Sequence, residues 1–175
     1  MYALLDALEG INKFVNMGGP ILLVIAVLLL VLWTLLFERA WYFKTALKND
    51  VQGALDQWEA RSERKSRRAH HVREALISRV AVKIEQSLPM IKTLVALAPL
   101  LGLLGTVTGM IKVFEILAIT GGGDARSMAG GVSQATIPTM AGMVAAISGV
   151  FGNTYVTRKA EREKQLLEDH LTMDH

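Results

Sequence analysis

The chain has 175 residues, a formal charge of +3 and no cysteine, with 51% hydrophobic and 20% charged residues. That is one domain's length, and the missing thiols exclude disulfides and thiolate metal sites. Mean hydropathy is +0.34, high for a soluble protein yet diluted for a membrane one, because charged segments separate three apolar runs.

Residues 1–19 form a lead in which Asp6, Glu9 and Lys13 leave a net negative charge. A secretory signal would begin with positive charge instead. Gly18, Gly19 and Pro20 then punctuate the chain, and proline suits a first helical turn. Residues 20–37 are expected to be the first transmembrane helix. Ile21 to Phe37 is apolar except for Thr34, long enough to cross a hydrocarbon core of ~30 Å. Glu38, Arg39, Trp41, Tyr42 and Lys44 close it with the aromatic and basic mixture of a membrane-water boundary.

Residues 38–92 hold 12 of the 19 Lys and Arg residues. Val51, Ala54, Leu55 and Trp58, then Val72, Leu76, Val80, Ile84 and Leu88, recur at helical spacing and predict one or two amphipathic helices with a break near Pro89. Between the stripes, RSERKSRRAHHVR at 61–73 reads as a solvated face or loop, with anionic headgroups as a lesser partner. Nucleic acid is not expected, because this cluster lies between membrane spans. His70 and His71 lack carboxylate support and make a weak metal site.

Residues 93–118 are the expected second span. Thr93 to Ile111 carries no charge, and Gly102, Gly105 and Gly109 put small residues along one side, which favours helix packing. Lys112 and Glu115, three apart, are expected to pair. A turn follows at Gly121 to Asp124 within residues 119–126, and Asp124 or Ser127 is placed to cap the next helix. Residues 127–157 are the third span. They have no charged side chain and are rich in Gly, Ala, Ser and Thr, the composition of a helix packed against others. Gly142, Ala146 and Gly149 lie on or near the Thr139 side, where small residues suit either close packing or a smooth wall for a moving partner. Residues 158–175 form a helical tail whose Leu166, Leu167 and Leu171 are expected to dock on the first charged segment.

The distribution of positive charge sets the expected orientation. Residues 38–92 and the tail hold most of it, so both should be cytoplasmic, with the N-terminus outside and the C-terminus inside. The expected fold is an all-α membrane protein with three transmembrane helices and long cytoplasmic helical extensions. No Asp, Glu, Lys, Arg or His lies within the apolar runs. Neutral Thr106, Thr108, Ser133, Gln134, Thr136, Thr139 and Ser148 remain at depth, and hydroxyls and amides do not titrate near neutrality. A proton path here needs a titrating group from elsewhere. No hydrolase triad, metal cluster or nucleotide loop points to an enzyme, and no cofactor is expected.

ALAPLLGLLGTVTGMIKVF (96–114) and GGVSQATIPTMAGMVAAISGV (130–150) resemble the paired signatures of the ExbB/TolQ/MotA proton-channel family. Within it they are most similar to ExbB, in particular the short form of second TonB systems. The resemblance implies a homopentameric inner-membrane channel around ExbD-like single-span subunits. Such a complex uses the proton gradient to energise TonB for uptake across the outer membrane. It also implies that residues 1–19 and 119–126 are periplasmic. Thr106 and Thr139 correspond to the family's pore-facing threonines, near an aspartate of the inner partner, whose anion their hydroxyls would stabilise. Gln134 stands where many ExbB proteins carry Glu, and Pro138 interrupts a helix that relatives often build without proline. A TolQ-like subunit of an envelope-integrity motor and a non-conducting scaffold are the alternatives.

Overall fold

The computed structural model describes residues 2–61, 63, 66–121 and 125–171. Its elements are helices: α1 (Tyr2–Lys44), α2 (Ala46–Glu59), α3 (Arg67–Glu85), α4 (Leu88–Thr120) and α5 (Ala125–His170). Three stretches, carried by α1, α4 and α5, are long and apolar enough to cross a membrane. The chain divides into two compact units, Met1–Trp33 with Thr93–Val150 and Thr34–Lys92 with Phe151–His175.

In the first unit α1 is broken at Gly19, whose φ of 66° and ψ of −166° belong to a region that only glycine occupies without strain. Pro20 restarts the helix at a position where a missing N–H leaves nothing unpaired. The residues ahead of this break, read from sequence as a lead, are helical from Tyr2. Ile25, Leu28, Ala98 and Ala145 form the buried core, with Ile21, Leu29, Leu94, Leu101 and Ala146 packed against it. Leu30, Leu100 and Val144 point outward, as lipid-facing positions do.

α4 and α5 run antiparallel at very close range. Contacts pair Val113 with Gly131, Gly109 with Ala135, Gly105 with Pro138, Gly102 with Thr139, Ala98 with Gly142 and Val95 with Gly149. A Cβ on Gly142 would sit 2.6 Å from the carbonyl oxygen of Ala98 and 3.0 Å from Cα of Gly102. The obstacle is main chain, which no rotamer change can clear.

Gly121 ends α4 with φ 69°, its N–H bonded to the carbonyl of Leu117 at 3.1 Å, a left-handed C-terminal stop. α5 begins at Ala125, so the backbone of Ser127 lies inside the helix, past the N-cap position. Asp124, with Gly122 and Gly123 of the expected turn, falls outside the described residues. Lys112 and Glu115 are both exposed, and among the described residues no ion pair joins them.

In the second unit α2 packs on α3. Ser66 caps α3 by accepting the N–H of Ala69 at 3.3 Å; Ser62, Arg64 and Lys65 of the basic cluster lie outside the described residues. Leu47, Ala54 and Trp58 of α2 and Leu76, Val80 and Ile84 of α3 are buried, while Val51, Leu55 and Val72 are only half covered. The break before α4 falls at residues 86–87, just ahead of Pro89. Leu167 and Leu171 are buried, whereas Leu166 stays 40% exposed.

The basic residues of this unit do more than face solvent. Arg73 donates Nη2 to the carbonyl of Glu168 at 2.9 Å and Nε to that of Leu171, holding the orphan carbonyls at the end of α5. Arg39, read as part of a membrane boundary, is 4% exposed. It donates Nη1 to the carbonyl of Lys83 at 2.7 Å, pairs with Glu38 and stacks over the Tyr42 ring. Trp41 beside it is exposed. The ammonium of Lys83 donates to the Asp50 carboxylate at 2.7 Å, and the Tyr42 hydroxyl donates to its other oxygen at 2.8 Å. The Lys83 hydrogen bond, aided by Tyr42 and opposed by partial burial, holds the Asp50 carboxyl below its ordinary range.

Two glycine substitutions should act in opposite directions on the melting temperature of the purified protein in detergent. Gly142→Ala forces α4 and α5 apart and is expected to cost about 1–3 kcal/mol. At Gly53 in α2 an added Cβ meets nothing within 4 Å, so Gly53→Ala is expected to stabilise by roughly 0.5–1 kcal/mol. Equal melting temperatures for Gly142→Ala and the native chain would refute contact between the two backbones.

Candidate functional site

The seam between α4 and α5 carries the site. Helices meeting at glycine bring backbone within reach of short side chains on the opposite helix, which larger interface residues would prevent. The hydroxyl of Thr139 on α5 donates to the carbonyl oxygen of Gly102 on α4 at 2.9 Å. The hydroxyls of Thr106 and Thr139 are themselves hydrogen-bonded. Thr106 Oγ1 also lies 3.4 Å from the Gly102 carbonyl oxygen, beyond the usual O–H···O range. Both side chains are half-buried, so the pair is anchored in the seam with one edge open.

Other hydroxyls at this depth turn back on their own helices. Thr108 donates to the carbonyl of Leu104 at 2.9 Å, Thr136 to that of Ser133 at 2.8 Å, and Ser148 to that of Ala145 at 2.8 Å. Such bonds satisfy a buried hydroxyl and leave it little to offer a neighbour. Among the described span residues with assigned bonds, Thr106 and Thr139 are the ones that reach across. The six small residues singled out by sequence lie at helix contacts. Gly102 faces the backbone of Pro138 and Thr139, Gly105 faces the Pro138 ring, and Gly109 faces Ala135. Gly142 faces Ala98 and Gly102, and Gly149 faces Leu32 and Val95. Ala146 packs on the core cluster.

Gln134 lies on the same helix, α5, five residues before Thr139. It is exposed and lines a groove of about 490 Å³ with Gly18, Pro20, Thr108, Lys112 and Pro138. Pro138 has no N–H to offer the carbonyl of Gln134 one turn earlier, so that carbonyl is a further acceptor on this stretch of α5. Sequence reasoning grouped Gln134 with the two threonines, and the groove that Gln134 lines includes Pro138, the residue before Thr139. That reasoning missed the Gly102 carbonyl, since a backbone acceptor leaves no signal in residue type.

What this arrangement can do chemically is limited and specific. Two neutral hydroxyls fixed to a carbonyl orient a hydrogen-bonding partner but store no proton near neutrality. Leu103, Val107, Met140 and Met143, within four residues of the pair along the two helices, are exposed apolar side chains. A group brought to the open edge would therefore sit in low-dielectric surroundings, where its hydrogen bonds are strong.

The linkage between the two threonines has a stability signature. In detergent, Thr106→Val and Thr139→Val should each lower stability by about 0.5–1.5 kcal/mol, and the double variant by clearly less than the sum. Strictly additive melting shifts would show that the hydroxyls do not share a bond.

Residues 38–169 match the family described as the MotA/TolQ/ExbB proton channel family. The chain is 34% identical over 162 aligned positions to a putative biopolymer transport protein, ExbB-like 1, of a Synechocystis species, covering 74% of this chain and 64% of that one. It is 35% identical over 85 positions to the Tol-Pal system protein TolQ of Pseudomonas aeruginosa, covering 49% of this chain and 37% of TolQ. With the biopolymer transport protein ExbB of Xanthomonas campestris pv. campestris the identity is 32% over 82 positions, covering 47% and 32%. The chain thus spans less than two thirds of the length of each of these relatives.

Proposed function

The chain belongs to the MotA/TolQ/ExbB proton channel family, and from that premise we propose that it is the channel-forming subunit of an ExbB-type energy-transducing complex. It is a multi-pass protein of the bacterial inner membrane, in keeping with its three apolar helices. In this reading five copies surround an ExbD-like single-span partner, whose aspartate carboxyl carries the proton past Thr106 and Thr139. The complex draws on the proton motive force to energise a TonB-like protein for uptake across the outer membrane. The N-terminus faces the periplasm, and the charged segment 38–92 and the tail face the cytoplasm.

One observation carries this reading. The apolar runs 21–37, 93–111 and 127–157 hold no Asp, Glu, Lys, Arg or His, yet a hydroxyl pair crosses the α4–α5 seam at the two positions that the motif resemblance matches to the family's pore threonines. A subunit that lacks its own titrating group but presents oriented hydroxyls suits a borrowed carboxylate. The similarity to TolQ favours a second reading, in which the same machinery drives an envelope-integrity motor. The single-span protein that co-purifies with the chain separates the two.

Proton flux into liposomes tests the central claim. The chain alone should conduct no protons above the lipid background, and the chain with its partner should conduct. Substantial flux from the chain alone would overturn the borrowed carboxylate. For orientation, the native chain offers no cysteine, so single cysteines can be probed in spheroplasts with an impermeant thiol reagent. Gly10→Cys and Ile119→Cys should label, while Arg79→Cys and Glu161→Cys should stay protected. The reverse pattern would invert the topology.

A further inference from the structure

The hydroxyl pair has a direction, and the direction follows from counting protons. A threonine hydroxyl has one proton to donate and two lone pairs to accept with. The carbonyl of Gly102 has nothing to donate. Its 2.9 Å bond from Thr139 therefore commits the single proton of Thr139. The bond between the two hydroxyls must then be donated by Thr106. The competing setting, with Thr106 donating to Gly102 directly, has a 3.4 Å separation and is the weaker one. In either setting the proton of Thr106 points into the seam. Among the described residues no other donor or acceptor is assigned to Thr106, so the open edge of the pair shows oxygen lone pairs.

We propose that Thr106 presents an acceptor to the pore, so that the site recognises the protonated carboxylic acid of the inner partner and not its carboxylate. Thr139 is the positioning residue that holds Thr106 in this sense. This deepens the channel reading of the same site and rests on it. A neutral carboxyl has an O–H to donate and matches the lone pairs of Thr106, whereas a carboxylate only accepts. To hold the anion, Thr106 must rotate outward and abandon Thr139, which loses a bond inside the seam. The expectation from sequence was the opposite, that the hydroxyls stabilise the anion. The Gly102 carbonyl reverses it, because it fixes the sense of the whole chain of bonds.

The consequence is a carboxyl held in its neutral form until it leaves the threonines. Hydrogen bonding to the neutral form and a low-dielectric site act in the same direction on the proton's release. The proton is then given up where the partner moves away from Thr106, which ties release to displacement.

The test uses the complex of this chain with its single-span partner in lipid. The C=O band of the partner's protonated carboxyl is followed by infrared difference spectroscopy across pH, alongside proton flux. Thr106→Val removes the acceptor and should move the midpoint of protonation down by roughly half a unit to one unit. Thr106→Ser should restore it. Thr139→Val frees Thr106 to turn outward and should move the midpoint the same way, and Thr139→Ser should restore it as well. A midpoint raised in Thr106→Val would mean that the hydroxyls hold the anion, and an unchanged midpoint that they do not touch the carboxyl. Either result overturns the proposal while flux in the native complex leaves the channel reading standing. If the native complex neither conducts nor shows a titrating carboxyl band, the channel reading falls and this inference with it. Retention of the partner on co-purification separates these outcomes from simple misassembly of a variant.

Discussion

Contact between two backbones is the constraint from which the rest of the membrane unit follows. Gly142 against Ala98 and Gly102 sets how near α5 lies to α4, and only that nearness lets a side chain as short as threonine reach a main-chain carbonyl on the opposite helix. A helix interior normally hides its carbonyls behind side chains and satisfies one lone pair with the N–H four residues on. Glycine uncovers the second lone pair. The site is therefore a product of packing: the missing side chains at Gly102 and Gly142 create it as much as the hydroxyls that occupy it.

The second unit is organised on a different physical basis. Its stripes of Leu, Val, Ile and Trp bury apolar surface in the usual way. Its register, though, is fixed by cations on carbonyl oxygens. Arg39 grips the backbone of α3 at Lys83, and Arg73 grips the end of α5. A guanidinium suits this task because its fork of donors meets carbonyls from several angles and never loses its charge. A segment that looks like a basic linker is thus a cross-braced helical assembly.

Sequence patterns reveal features that are local and leave out those that depend on two distant residues meeting. Apolar length identified the three spans, and helical spacing identified the stripes of α2 and α3, because period and length are properties of one segment. The tail docking was legible for Leu167 and Leu171, but not the exposure of Leu166, which sits one position around the same helix. Thr136 and Thr139 look equivalent in sequence, being three apart on one helix. One turns back to Ser133 and the other crosses to Gly102; only the family resemblance distinguished them beforehand. Arg39 has the composition of a membrane boundary and the burial of a core residue. The kink at Gly19 was legible from Gly-Gly-Pro, though not the helix ahead of it.

Pro138 lies buried with its ring against Gly105, so the two positions constrain each other. A side chain at 105 collides with the ring, so no chain that keeps Pro138 can readily leave glycine there. Alanine in place of Pro138 regains a backbone donor for the carbonyl of Gln134 but keeps the Cβ, the atom nearest a side chain at 105, so only glycine at 138 clears that obstacle. The same change at 105 is then more damaging with proline at 138 than with glycine there, so the two substitutions are not additive. A proline at 138 thus demands glycine at 105, a requirement that neither position shows on its own.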